Sequence, residues 1–175
     1  AMKCVAKASR NVSTLVTREN TALQHLEHPG VVRLYASFED DTHVYFILQY
    51  AEGGNLYQLS RKGAICFHVA RAWLRELCTT LQYIHSNTVI VRDLKLENVL
   101  LYQGCTVIAD FGLAKHASNA PSTLCGTPEY MAPEVIKETQ KQTCKVDMWS
   151  LGIVAYELLA GRLPYFSANV ADVFV

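Results

Sequence analysis

Val91-Arg92-Asp93-Leu94-Lys95-Leu96-Glu97-Asn98 is followed, a short way on, by Ala109-Asp110-Phe111-Gly112-Leu113-Ala114-Lys115-His116. Between them, residues 99–102 and 106–108 are apolar runs around Gln103-Gly104-Cys105, which reads as a tight β-ribbon. The ribbon joins two short polar segments that bring Asp93, Lys95, Asn98 and Asp110 close in sequence. Few reactions need that set on so short a stretch.

Outward from this centre the chain alternates helical and extended patterns. Residues 1–6 read as a strand, and Val12, Leu15, Val16, Leu23 and Leu26 then fall on one helical face. Glu19 lies within that apolar stripe, where a carboxylate carries a cost unless a cation meets it. His28-Pro29-Gly30 ends the helix, and residues 31–38 and 43–49 form two antiparallel strands around Glu39-Asp40-Asp41-Thr42. Ala51-Glu52-Gly53-Gly54 is a flexible joint before a short helix near 56–59. Ala70, Trp73, Leu74, Leu77, Leu81 and Ile84 mark a strong helix over 67–85. Residues 88–91 are a further short strand. Pro121, Pro128 and Pro133 forbid regular structure over much of 116–134. A last helix, 145–160, is apolar nearly all round and is expected to be buried on every side.

Composition limits the alternatives. Half of the 175 residues are hydrophobic and 18% are charged, the signature of a globular chain. The formal net charge of zero argues against nucleic acid or an anionic membrane as principal partner. Asp147, Ser150 and Glu157 interrupt the longest apolar stretch, so no membrane span is expected, and no signal-peptide pattern opens the chain. The six cysteines are scattered without a C-x-x-C pair. Buried or neutral thiols in a reducing, cytoplasmic setting are expected rather than a zinc site or disulfide scaffold.

The polar segments suit transfer of a phosphoryl group from a metal-bound nucleotide, a reaction that asks the protein for positioning and charge neutralisation. Asp110 supplies a carboxylate to magnesium, with Gly112 letting the backbone turn, and Asn98 supplies a carbonyl oxygen to the same ion. Asp93, five residues before Asn98, accepts or orients the proton of an attacking hydroxyl. Lys95 neutralises the transferring group. Each piece alone is a weak signal; the ordered combination is a strong one.

The chain thus resembles a eukaryotic protein kinase catalytic domain from end to end. Residues 91–98 are similar to the catalytic loop H-R-D-L-K-P-E-N, with Val91 and Leu96 departing from the pattern. Asp110-Phe111-Gly112 matches the metal-binding D-F-G, and Ala132-Pro133-Glu134 the A-P-E. Asp147-Met148-Trp149-Ser150-Leu151-Gly152 resembles the buried helix whose aspartate anchors the catalytic loop.

The resemblance implies an α+β, two-lobed fold truncated at both ends. Residues 1–50 would be a partial N-terminal lobe lacking its first strands, 51–54 a hinge, and 55–175 a partial C-terminal lobe lacking its last helices. It implies an ATP- and Mg2+-dependent serine/threonine kinase acting on protein hydroxyls. A non-catalytic kinase-like interaction module is the alternative. Because the glycine-rich phosphate lid is expected before Ala1, these 175 residues alone are expected to be unstable and poorly active.

The resemblance also assigns roles. Glu19 is the partner of a strand lysine that holds the α- and β-phosphates. Lys3 and Lys7 both fit, at sixteen and twelve positions before Glu19. The longer spacing favours Lys3, with Lys7 then a solvated surface lysine. Ala1 caps the adenine ring, Leu48 stands behind it, Leu100 lies beneath it, and Gln49 to Ala51 offer backbone groups. Leu23, Leu34, Val91 and Phe111 resemble the stacked apolar column of active kinases.

Residues 122–130 resemble the activation segment of the AGC group, especially cyclic-nucleotide-dependent kinases. Thr123 is the implied phosphorylation site, modified by an upstream kinase or by autophosphorylation, with Arg92 and Lys115 as phosphate partners. Thr127 is expected to bond Asp93 and Lys95, a pairing associated with serine/threonine specificity. Glu97 is expected to attract a basic substrate residue, although Asn55 stands where basophilic relatives often carry an acid. Glu134 is expected to lack its structural arginine.

Overall fold

The computed structural model describes residues 1–7, 12–63, 65–116, 126–137 and 141–165. Three strands open the fold: β1 (Met2–Ala6), β2 (Leu34–Glu39) and β3 (His43–Leu48), antiparallel in the order β1-β3-β2. Helix α1 (Val12–His25) lies between β1 and β2 in sequence. Asp40 closes the β2–β3 turn by accepting from Thr42 N at 2.7 Å, His43 N at 2.7 Å and the Tyr45 hydroxyl at 2.7 Å. An aspartate that satisfies its own turn backbone specifies that turn.

The second part is helical around short ribbons. It comprises α2 (Leu56–Ser60), α3 (Phe67–Ser86), β4 (Val89–Ile90), β5 (Val99–Tyr102), β6 (Cys105–Ile108), β7 (Lys115–His116), α4 (Pro133–Ile136) and α5 (Lys145–Ala160). β5 pairs with β6 and β4 with β7, both antiparallel. Single 3-10 turns cover Leu96–Asn98 and Pro128–Tyr130. The mixed helix and sheet, split between a strand-rich and a helical part, is the α+β two-lobed arrangement expected.

Asn55 caps α2, its side chain accepting from Gln58 N at 2.8 Å. That local bond accounts for an amide at this position.

One apolar core runs through both parts. Ala22, Leu23, Leu26 and Val31 pack in the same cluster as Leu77, Leu81, Ile84, Val91, Ile108 and Phe111, with Leu34 against its edge. The stretch before β2 differs from expectation, because residues 31–33 do not belong to that strand. Val31 bridges Ile108 in parallel, Val32 N donates to Ile108 O at 3.0 Å, and Ile108 N donates to Gly30 O at 2.7 Å. Long-range pairing with β6 here overrides the local apolar run. Gly30 lets α3 pass close to this segment, since a Cβ there would lie 1.9 Å from the Thr80 hydroxyl oxygen.

α5 departs from the expectation of burial all round. Val146, Asp147, Ser150, Leu151, Val154, Glu157 and Leu158 are buried, while Met148, Trp149, Tyr156 and Leu159 are exposed. The five described cysteines, Cys4, Cys66, Cys78, Cys105 and Cys144, are free and exposed rather than buried. Among the described residues no helix is long and apolar enough to cross a membrane.

Candidate functional site

β1 carries Lys3 toward α1. Its ammonium donates to both Glu19 oxygens, at 2.8 and 2.9 Å, and to Asp110 Oδ1 at 3.1 Å. Glu19 is 3% exposed, so the cation that its stripe required is supplied from the neighbouring strand. Burial pushes the Glu19 carboxyl upward, with Lys3 pulling against it. Burial pulls the Lys3 ammonium down, but Glu19 and then Asp110 outweigh it and the net shift is upward. Lys7 faces elsewhere, pairing with the exposed Glu39 at 3.2 Å.

Asp110 is reached through an unusual backbone. Its own φ is +64°, so the turn expected at Gly112 is made by the aspartate itself. Gly112 contributes room: its N–H donates to Asp110 Oδ1 at 3.3 Å, and a Cβ there would sit 3.3 Å from the same oxygen. Phe111 is fully buried.

The segment after β4 forms a second cluster. Asp93 Oδ1 accepts the Thr127 hydroxyl at 2.9 Å and the Thr127 N–H at 3.1 Å. Lys95 Nζ donates to Thr127 Oγ1 at 2.7 Å and lies 3.1 Å from Asp93 Oδ2. Asn98 Nδ2 donates to Asp93 O at 2.9 Å and to Asp93 Oδ2 at 3.2 Å, which directs its carbonyl arm the other way. The triad of Asp93, Lys95 and Thr127 expected from sequence is therefore present as one hydrogen-bonded unit. Gly126 admits it, with φ +112° and a Cβ position only 2.8 Å from Arg92 O.

Two side chains, Arg92 and Asp147, brace the loop. Arg92, 7% exposed and with φ +68°, donates from Nε to Leu113 O at 2.8 Å and from Nη1 to Gln142 Oε1 at 3.2 Å. Asp147, fully buried in the first turn of α5, accepts the N–H groups of Val91 at 2.9 Å and Arg92 at 2.8 Å. The anchoring expected of Asp147 is thus a direct bond to the loop backbone.

Leu48 N donates to Ala1 O at 2.8 Å, and Ala1 N to Leu48 O at 2.6 Å, which sets these two residues side by side. Gln49 N is engaged by Arg33 O at 2.9 Å, so that residue offers its carbonyl. Ala51 O accepts from Gly54 N at 3.4 Å. Leu100 is half-buried in β5. Glu134 is half-buried in α4. Thr123 lies outside the described residues.

Sequence reading passed over Glu157, treating it as an interruption of an apolar run. It is 1% exposed, accepts the Tyr130 hydroxyl, and receives Arg61 Nη2 at 3.4 Å. Burial raises its carboxyl, with Glu97 adding to the shift and Tyr130 and Arg61 opposing it. The exposed Glu97 and Glu157 share a cleft of about 670 Å³ that also includes Thr127, Tyr57 and Arg162.

The donor set bears on a metal. Among the described residues no three His, Cys, Asp or Glu side chains gather as a cage. Magnesium needs one or two carboxylates when phosphate and water complete its shell, and Asp110 with Asn98 fits that demand.

Comparison with known proteins agrees with this geometry. Residues 1–174 match the protein kinase domain family. The chain is 40% identical over 158 residues to cAMP-dependent protein kinase type 3 of Saccharomyces cerevisiae, covering 89% of this chain and 39% of that protein. It is 42% identical over 165 residues to serine/threonine-protein kinase Sgk1-A of Xenopus laevis and 41% identical to human Sgk1, each over 91% of this chain and 38% of the relative. The chain therefore spans about two fifths of the length of these relatives.

Proposed function

Since the chain belongs to the protein kinase domain family, we propose that its parent protein is an ATP-dependent serine/threonine kinase that moves the γ-phosphoryl group to a protein hydroxyl. The observation that carries this reading is the pair of linked clusters: Lys3–Glu19–Asp110 on one side, and Asp93–Lys95–Thr127–Asn98 on the other.

Lys3, held by Glu19, meets the α- and β-phosphates. Ala1, Leu48 and Leu100 enclose the adenine, and the Gln49 carbonyl with the Ala51 N–H reads its edge. Asp110 and the Asn98 carbonyl hold Mg2+, which when bound neutralises phosphate charge. Asp93 orients the acceptor hydroxyl and receives its proton, while Lys95 stabilises charge on the group in transit. Thr127 fixes the spacing of Asp93 and Lys95. The exposed Glu97 favours a basic residue in the substrate peptide. Phosphorylation of Thr123, by an upstream kinase or by the protein itself, would set a phosphate against Arg92 and Lys115.

Incubation of the protein with γ-labelled ATP, Mg2+ and a serine peptide containing arginine should yield labelled phosphoserine. Nucleotide binding without label transfer would instead assign the chain to a non-catalytic interaction module.

The Glu19 shift gives a pH test. A carboxyl whose folded pKa is raised binds its proton more readily folded than unfolded, so ionised Glu19 costs stability. That cost is absent below the unfolded pKa and grows as pH rises through the folded one. Activity runs the other way, because Lys3 needs the carboxylate. On acidification kcat/KM for ATP should therefore fall at a higher pH than an ordinary glutamate gives, without a parallel loss of Tm from this group. The Glu19→Gln variant should be less active and should lack that limb. Persistence of the limb in this variant would assign it to another group.

A further inference from the structure

We propose that the cleft beside Asp93 selects a substrate peptide carrying an acidic residue as well as a basic one, and that Arg162 reads the acidic residue. That a peptide fills the cleft rests on the kinase reading above; the charges it meets there belong to the cleft itself.

The cleft of about 670 Å³ joins the reacting groups through Thr127, whose hydroxyl donates to Asp93 at 2.9 Å. Three carboxyls, Glu97, Glu129 and Glu157, and two guanidinium groups, Arg61 and Arg162, line it. Two of these five are consumed within the fold. Arg61 lies over the Tyr57 ring at 4.8 Å and donates to Glu157 Oε1 at 3.4 Å and to Gly161 O at 3.3 Å. Glu157 is buried and also takes the Tyr130 hydroxyl. Among the described residues, no ion pair engages Glu97, Glu129 or Arg162. The cleft therefore presents two carboxylates and one guanidinium to the peptide that enters it. A peptide with basic residues alone answers only part of that pattern.

Arg162 is exposed, but the backbone that carries it is held on both sides. Gly161 before it caps α5 at φ +71°, donating to Glu157 O at 2.8 Å and accepting from Arg61. Leu163 after it packs against the apolar core. An arginine fixed at its root loses less conformational freedom on binding, and its planar fork matches a carboxylate through two parallel N–H donors. A cation just past α5 also complements the helix dipole, but that role is blind to what the peptide carries.

Serine peptides with one arginine separate the two roles. They are compared in pairs, glutamate against glutamine, with the varied residue moved one position at a time along the peptide. In the wild type, glutamate should give the higher kcat/KM at one position, by about 5- to 10-fold. Arg162→Gln should bring that ratio close to one, and Arg162→Glu should invert it. A lower Tm in Arg162→Gln with the ratio unchanged would assign Arg162 to the helix end alone and overturn the proposal. A ratio near one at every position in the wild type would also overturn it. If the protein transfers no phosphate, the kinase reading fails, while the Kd ratio of the same peptides by fluorescence anisotropy still decides Arg162. Peptides that show neither transfer nor binding overturn both.

Discussion

Replacing Asp93 by asparagine should lower the rate of phosphoryl transfer to a serine peptide by about 100- to 10,000-fold while leaving ATP affinity unchanged. The side chain keeps its shape, but its environment is built for an acceptor. Thr127 N and Oγ1 donate to one oxygen, while Asn98 Nδ2 and Lys95 Nζ address the other. An amide would turn an NH2 group toward one of these donors and remove the charge that orients the hydroxyl. Nucleotide binding is assigned to other residues, so the loss belongs in kcat. Retention of transfer within about tenfold would remove Asp93 from the proton-accepting role.

The second large effect concerns Lys3. Lys3→Met should reduce transfer by at least about 100-fold, the scale of removing one preorganised electrostatic group. It should also lower stability by about 1–3 kcal/mol, less than for a fully buried pair, because the Lys3 side chain is 35% exposed and Glu19 can take up a proton. The double variant Lys3→Met with Glu19→Leu should regain the Tm but none of the activity. Recovery of activity in that double variant would show that Lys3 serves the fold rather than the nucleotide. Lys7→Met is the internal control: its surface pair with Glu39 should contribute within about 0.5 kcal/mol. Full activity in Lys7→Met and loss in Lys3→Met would separate the two lysines that the sequence offered.

Much of the site was legible because its signals are local. Residues 91–98 and 109–112 carry their chemistry in side-chain type and spacing. The helices announced themselves by apolar period, and α5 was placed at the observed bounds, Lys145–Ala160. The sixteen-residue spacing of Lys3 and Glu19 also pointed to the pairing seen. Where the reading went astray, a distant partner prevailed. Val31 and Val32 left their expected strand to pair with Ile108.

By itself, then, the sequence determined the family resemblance, the set of reacting groups, and most of the longer helices and strands, since propensity, period and motif spacing are short-range properties. Tertiary structure alone decided how those groups are aimed. The left-handed backbone at Arg92 and Asp110, the hold of Gln142 on Arg92, the burial of Glu157 against Tyr130 and Arg61, and the meeting of His85 with Asp147 leave no periodic trace. Their partners stand 27 to 96 residues apart. A buried polar group takes whichever partner the packed core brings within hydrogen-bonding reach, and that choice exists only once the chain has folded.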